Sequence, residues 1–268
     1  MLRVGLVGCG TIGSRLAHAI EQSYGHAARL VGLHDRDAVR AIALRQQLRH
    51  QPPVLELPAL VQRSQLILEA ASIEIVPQVV RAALRAGCDV FVMSVGGLLR
   101  VPEWQRLAQQ AGRRMYVPSG ALAGLDGVKA LATGRIRRLS LTTRKPARAL
   151  ADAPYVRRRG LRLDRLRRAK LIFTGSPAAA VAAFPQNTNI AAALALASQG
   201  SSRQPRIRVI ADPQLRMNRH ELDIEGDCGR IRCVIESRPS ANPKTSELAV
   251  RSAIATLERL FSPIQIGT

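Results

Sequence analysis

The sequence predicts an α/β protein in two parts. An N-terminal doubly wound parallel sheet is followed by an α+β region with a largely antiparallel sheet. Three observations carry this. Residues 4–13 read Val-Gly-Leu-Val-Gly-Cys-Gly-Thr-Ile-Gly, a short apolar run closing in a Gly-x-Gly-x-x-Gly turn ahead of a helical pattern. Up to residue 117 strand-like and helix-like segments alternate, the order expected of parallel strands joined by crossover helices. Later, segments 206–211, 218–224 and 230–237 read as strands in succession, separated only by turn residues, which predicts an antiparallel meander.

The first strand is read at 2–7 and the first helix at 14–23. Between them each glycine of the turn has a task. Gly8 permits a tight turn, Gly10 lets the backbone approach a pyrophosphate, and Gly13 lets helix and strand pack closely. Thr11 and Ile12 stand in the turn that leads into the helix, whose free N–H groups face phosphate. This is the pattern of a dinucleotide-binding (Rossmann) domain. The second strand, 29–33, ends at His34 and Asp35. A carboxylate there accepts from a ribose 2′-hydroxyl and favours NAD, whereas the adjacent Arg36 suits a 2′-phosphate, so NADP stays open. A helix at 37–48 is broken by Pro52 and Pro53. A strand at 66–68 runs into Glu69, Ala70, Ala71 and Ser72, and one at 89–93 into Ser94 to Gly97. Small residues after these strands, Ala71 and Ser72 among them, fit the rim where a nicotinamide lies. Helices at 76–86 and 102–111 and a strand at 114–117 complete the first part.

From Pro118 the texture changes. A small-residue stretch, 119–127, leads into a helix, and a strand is read at 136–143. Residues 157–170 are a charged helix or loop, and 177–183 and 189–198 are Ala-rich helices broken at Pro185. An amphipathic helix at 247–260 ends the pattern. In the middle strand of the meander Asn218, His220, Leu222 and Ile224 share one face, and Arg219, Glu221, Asp223 and Glu225 the other. The charged face is the wet one, which puts His220 on the covered face. A histidine there is either a satisfied core residue or an acid/base group; as the only histidine outside the dinucleotide-binding part it is the leading candidate for the second role, with Lys145 and Lys244 behind it.

Composition narrows the function classes. There are 40 basic and 19 acidic residues, for a net charge of +21, but the positive residues are spread along the chain and aromatics are only 3%. A nucleic-acid platform interleaves aromatics with its basic patch, so no nucleic-acid partner is expected. No apolar run approaches a membrane span and no secretory leader is recognisable, so no membrane partner and a cytoplasmic setting are expected. Cys9, Cys88, Cys228 and Cys233 form no C-x-x-C pair and no metal-ligand spacing with histidine, so reduced thiols and no metal are expected.

Several blocks carry a family resemblance: Ser119-Gly120-Ala121 with Gly124-Leu125-Asp126, Thr143-Arg144-Lys145-Pro146, Phe184 to Asn189, Ala211-Asp212-Pro213, Asn218-Arg219-His220 and Asn242 to Ser246. In this order the chain resembles the L-aspartate dehydrogenases, which are related in fold to dihydrodipicolinate reductase. The resemblance implies NAD(P)-dependent oxidation of L-aspartate to oxaloacetate and ammonia through iminoaspartate. It implies His220 as the catalytic residue, and Ala123 and Asn189 as further cofactor contacts. It also implies a dinucleotide domain of residues 1–118 and 245–268 enclosing a substrate domain of 119–244, and a homodimer. Arg144, Lys145, Asn187, Lys244, Thr245 and Ser246 are candidate donors to the substrate carboxylates, with surface charge and helix capping as the competing readings. Two other functions remain open at this point: reduction of a cyclic imine, and an NAD-binding sensor with affinity for nucleic acid.

Overall fold

A computed structural model describes residues 1–185, 188–240 and 245–267. By backbone contacts the chain divides into two units, Met1–Pro118 with Ala253–Gln265, and Ser119–Ser252.

In the first unit the elements run β1 (Leu2–Val7), α1 (Thr11–Ser23), β2 (Ala28–His34), α2 (Ala38–Gln47), α3 (Leu57–Arg63), β3 (Leu66–Glu69), α4 (Val76–Arg85), β4 (Asp89–Val92), α5 (Trp104–Ala111) and β5 (Met115–Tyr116). The five strands make one parallel sheet in the order β2-β1-β3-β4-β5. The order reverses between β1 and β3, the switch point at which such sheets bind ligands beyond their strand ends. β3 is buried at every position, as a strand covered on both faces requires. Two differences from the sequence reading are local. α1 begins three residues earlier, at Thr11, because Gly10 itself is the N-cap. α3 lies between Pro53 and β3 where the sequence reading placed no element; Pro58 in its first turn is the position a helix tolerates.

In the second unit follow α6 (Leu125–Ala132), β6 (Ile136–Pro146), α7 (Ala147–Leu150), α8 (Pro154–Arg158), β7 (Lys170–Gly175), α9 (Pro177–Ala183), α10 (Asn189–Ala197), β8 (Arg206–Asp212), β9 (Asn218–Gly226), β10 (Arg230–Ser237) and α11 (Glu247–Phe261). The divide between the units falls inside α11, whose Ala253 and Leu257 pack in the first unit's core with Leu16, Ala17 and Ile20 of α1.

The sheet order of the second unit, β10-β9-β6-β8-β7, corrects the expected meander. Only β9 and β10 form a hairpin; β6 lies between β8 and β9, parallel to the first and antiparallel to the second. β7, antiparallel to β8, emerges from the end of the basic run and was not read from the sequence. One face of the sheet is covered by α6, α9 and α10. Leu139, Leu141, Ile207, Leu222, Ile224 and Ile235 from the strands pack there on Val128, Leu131, Ala180, Ala191 and Leu194 from the helices.

The glycine turn has little room for change. Gly8 has φ +96°, and a Cβ on it would stand 2.6 Å from the backbone of Ala70 and Ala71. A Cβ on Gly13 would stand 1.8 Å from the Gly8 carbonyl oxygen, whereas one on Gly10 would meet nothing within 4 Å. Gly13→Ala is therefore expected to cost about 1–3 kcal/mol, the usual cost of overpacking, and Gly10→Ala under about 1 kcal/mol, the loss of a tolerated cap. Denaturant unfolding of the two variants against the parent checks the contrast; equal losses would show that the close approach is not rigid.

Candidate functional site

The first unit carries a cleft of about 270 Å³ at the carboxyl ends of β1, β2 and β3. Gly8 and Gly10 line it from below, His34, Asp35, Arg36 and Arg40 from one side, and Ala70, Ala71, Ser72 and Glu74 from the other. The glycine turn, Asp35, Arg36, Ala71 and Ser72, all named from the sequence, are thus brought together. Thr11 and Ile12 form the first turn of α1, where Gly10 supplies no side-chain cap and no acidic residue competes for the free N–H groups. The open space above Gly10, the uncapped helix start and the acid at the end of β2 fit a dinucleotide: the pyrophosphate over Gly10 and the helix, a ribose at Asp35.

Asp35 does more than line the cleft. Its Oδ2 accepts from the Cys9 backbone N–H at 2.7 Å and its Oδ1 from the Asp37 N–H at 2.9 Å. The carboxylate ties the end of β2 to the glycine turn and keeps lone pairs for hydroxyl donors. Burial, reinforced by the negative charge of Asp35, pushes the Cys9 thiol up to about 12, so it stays protonated.

The second candidate site lies in the second unit, at one end of the covered face of its sheet. Strand alternation places Thr143 and Lys145 of β6, Asn218 and His220 of β9, and Ser237 of β10 on that face, all buried. Thr143 pairs with His220, His220 with Ile235, and Asn218 with Ser237. The polar side chains thus occupy two adjacent rows, and the rows beyond them are apolar. The His220 ring Nδ1 stands 3.3 Å from the Thr143 hydroxyl, in hydrogen-bond reach. Burial first, and the Lys145 charge second, lower the His220 pKa to about 3, so the imidazole is neutral. Burial alone brings Lys145 down to about 8. The Ser237 hydroxyl has no hydrogen-bond partner among the described residues.

Several sequence candidates do not join this cluster. Arg144 is on the opposite face of β6, and its guanidinium lies 3.4 Å from Asp212. Ser246 caps α11, its Oγ accepting from the Leu248 N–H at 3.2 Å, which realises the capping reading. Thr245 accepts at its carbonyl from the Ser240 N–H and is half-buried. Asn187 and Lys244 lie outside the described residues. Ala123 is exposed just before Gly124, which has φ +81° at the head of α6, and Asn189 opens α10. Thr143, Asn218 and Ser237 were not proposed as site residues from the sequence, although the strand parity that located His220 would also have found Asn218. Among the described residues no cluster of His, Cys, Asp and Glu could hold a metal ion, and no helix is long and apolar enough to cross a membrane.

Comparison with known proteins gives one consistent result. The model of the C-terminal domain of aspartate dehydrogenase matches residues 126–260, and that of the NAD-binding domain of homoserine dehydrogenase matches residues 8–118. The chain is 42% identical to an L-aspartate dehydrogenase of Methanosarcina barkeri and 40% identical to that of Methanosarcina acetivorans, over the whole of each chain. It is 36% identical to L-aspartate dehydrogenase 3 of Bordetella bronchiseptica, covering all of this chain and 98% of that one. Among solved structures, the aspartate dehydrogenase of Thermotoga maritima superposes over the full length of both chains with a TM-score of 0.74 at 22% identity, a likeness of fold. With both parts of the chain matched and its full length aligned to such relatives, the protein belongs to the aspartate dehydrogenase family.

Proposed function

We propose that this protein oxidises L-aspartate to iminoaspartate, which takes up water and falls to oxaloacetate and ammonia, and that it catalyses the reverse amination. The observation that carries the reading is the neutral His220 beside the Lys145 ammonium on a desolvated sheet face, in a chain similar to L-aspartate dehydrogenases from end to end. When bound, the nicotinamide supplies the hydride acceptor. The residues Gly8, Gly10, Thr11, Ile12, Gly13, Asp35 and Arg36 hold the dinucleotide in this reading, with Ala71 and Ser72 at the rim and Ala123 and Asn189 as further contacts.

The chain's own part in the chemistry follows from burial. A neutral imidazole can take a proton from the water that adds to the imine carbon. The Thr143 hydroxyl holds the ring at Nδ1 and leaves Nε2 for that transfer. An imidazolium is costly in this dry place and beside Lys145, so the proton is returned readily. Lys145 supplies the positive charge that a dicarboxylate substrate needs. A substrate carboxylate next to it would in turn stabilise both cations and raise both pKa values.

For the cofactor, the carboxylate of Asp35 supports NAD, while Arg36 and Arg40, both on the cleft, leave NADP acceptable. A homodimer is part of the proposal. The uncovered sheet face presents acids and bases together (Arg208, Arg219, Glu221, Glu236) with exposed Val234 on the same face, as a self-complementary surface would. A cytoplasmic setting suits the free, exposed thiol of Cys228.

Three outcomes are expected. His220→Ala should lower kcat by about two to four powers of ten while leaving NADH affinity unchanged; near-normal turnover would remove His220 from the chemistry. Lys145→Met should raise the His220 pKa from about 3 without restoring it to 6.5, since burial, the larger cause, remains. Ring-proton NMR titration reads this, and an unmoved His220 would show the two groups uncoupled. Specificity constants with NAD and NADP should favour NAD; a preference for NADP would mean that Arg36 and Arg40 outweigh Asp35.

A further inference from the structure

Glu69 is the one acid wholly enclosed in the first unit's sheet among the described residues, 0% exposed at the carboxyl end of β3. Neither the glycine turn nor the proposed chemistry uses it. Its two oxygens accept from two different loops, through backbone N–H groups and the Ser94 side chain. Oε1 accepts from the Ala71 N–H at 2.9 Å, and Oε2 accepts from the Ser94 N–H at 2.9 Å. Its own carbonyl accepts from the Met93 N–H at 2.9 Å. The first of these loops runs through Ala70, Ala71 and Ser72, which form one wall of the cleft. The same loop packs so closely on the glycine turn that a Cβ at Gly8 would lie 2.6 Å from Ala70 and Ala71. The second loop opens the short 3-10 turn at Val95–Arg100.

We propose that Glu69 is a positioning residue of the cofactor cleft: its ionised carboxylate fastens the backbone of Ala71 against the glycine turn, so that affinity for the dinucleotide falls as the carboxylate is protonated. The inference rests on the reading of that cleft as the cofactor site. A carboxylate accepts both N–H donors at once, whereas a carboxylic acid turns a hydrogen toward one of them and gives up that bond. The loop it releases is the cleft wall.

The geometry also sets the pH range. Burial pushes the Glu69 pKa up to about 7, against the hydrogen bonds from Ser94, Ala71 and Met93, which lower it. No charged side chain enters that balance. β1, paired to β3 on one side, brings the Cys9 thiol in its following turn, protonated throughout; β4, on the other, brings no charge at this end. The cleft itself adds His34, Asp35 and Glu74 as titratable groups and Arg36 and Arg40 as fixed charges. His34, whose Nδ1 lies 2.8 Å from the Leu55 carbonyl, is the group that must be separated from Glu69.

The sign is fixed by linkage. The dinucleotide binds the ionised form, so binding is full above about pH 8 and is lost as pH falls through about 7. About one pH unit below the pKa roughly a tenth of the protein is competent, and the apparent Kd is about tenfold higher.

The test is titration of NADH and NADPH fluorescence with the full chain between about pH 6 and about pH 8.5. The wild type is expected to lose about tenfold in affinity toward acid. Glu69→Gln, which keeps one acceptor and presents an N–H to the other donor, is expected to bind about tenfold more weakly at high pH and with no pH dependence. A wild type whose affinity does not change with pH, or a Glu69→Gln variant that retains the wild-type slope, would overturn the proposal. If Glu69→Gln does not fold, His34→Gln decides: a slope that persists supports Glu69, and one that vanishes assigns it to His34. A wild type that binds neither nucleotide at any pH would sink the cofactor reading itself, an outcome distinct from the others.

Discussion

Removal from water governs three ionisable groups, one behind the cleft of the first unit and two in the polar cluster of the second. Glu69, Lys145 and His220 all lie beneath the surface, and for each the largest cause of its altered pKa is burial. The effect has one direction, toward the neutral form: the carboxyl rises to about 7, the amine falls to about 8, and the imidazole falls to about 3. Three side chains that would be fixed in charge or half-titrated in water are thereby made responsive or neutral near neutral pH. Perturbed groups of this kind gather at functional sites because the cost of burying them is tolerated there.

The fold makes that burial possible through strand parity. In the second unit, β6 and β9 are neighbours in the sheet, and Thr143 stands opposite His220. Alternation then sends Lys145 to the covered face and Arg144 to the wet one. Two adjacent cations of similar chemistry have different fates: one is desolvated beside the histidine, the other lies against Asp212. The apolar row of Ile207, Leu141 and Leu222 just below packs on the covering helices and keeps the polar end dry. In the first unit the same economy is achieved by backbone proximity. Gly8 and Gly13 allow turn, helix and loop to approach more closely than any side chain would permit, and Asp35 and Glu69 hold the turn and the loop by accepting from backbone N–H groups.

How much of this was legible in the sequence depended on the range of the interaction. The glycine turn announces itself because its residues act within one turn of chain. His220 was placed on the covered face because alternation along 218–225 is a local pattern, with charges at every second position. The sheet order was not legible: three strands in succession look like a meander, and the insertion of β6 between β8 and β9 depends on a pairing across nearly eighty residues, Thr143 with His220. Reading β6 only to residue 143 stopped it short of Arg144 and Lys145, and so hid the parity that separates them. Glu69 gave no signal beyond being an acid at the end of an apolar run, since the two amides it binds belong to loops that the sequence shows only as small residues. β7 was lost in the basic run that precedes it, where charge obscured a short strand.

The central claim, that a chain built this way oxidises one particular amino acid, is tested most directly by the absorbance of the reduced nicotinamide when wild-type protein and NAD are supplied in parallel with L-aspartate, D-aspartate and L-glutamate. The account predicts reduction with L-aspartate alone, reversed by oxaloacetate and ammonia. Absence of reduction with L-aspartate, or equal reduction with L-glutamate, would contradict it.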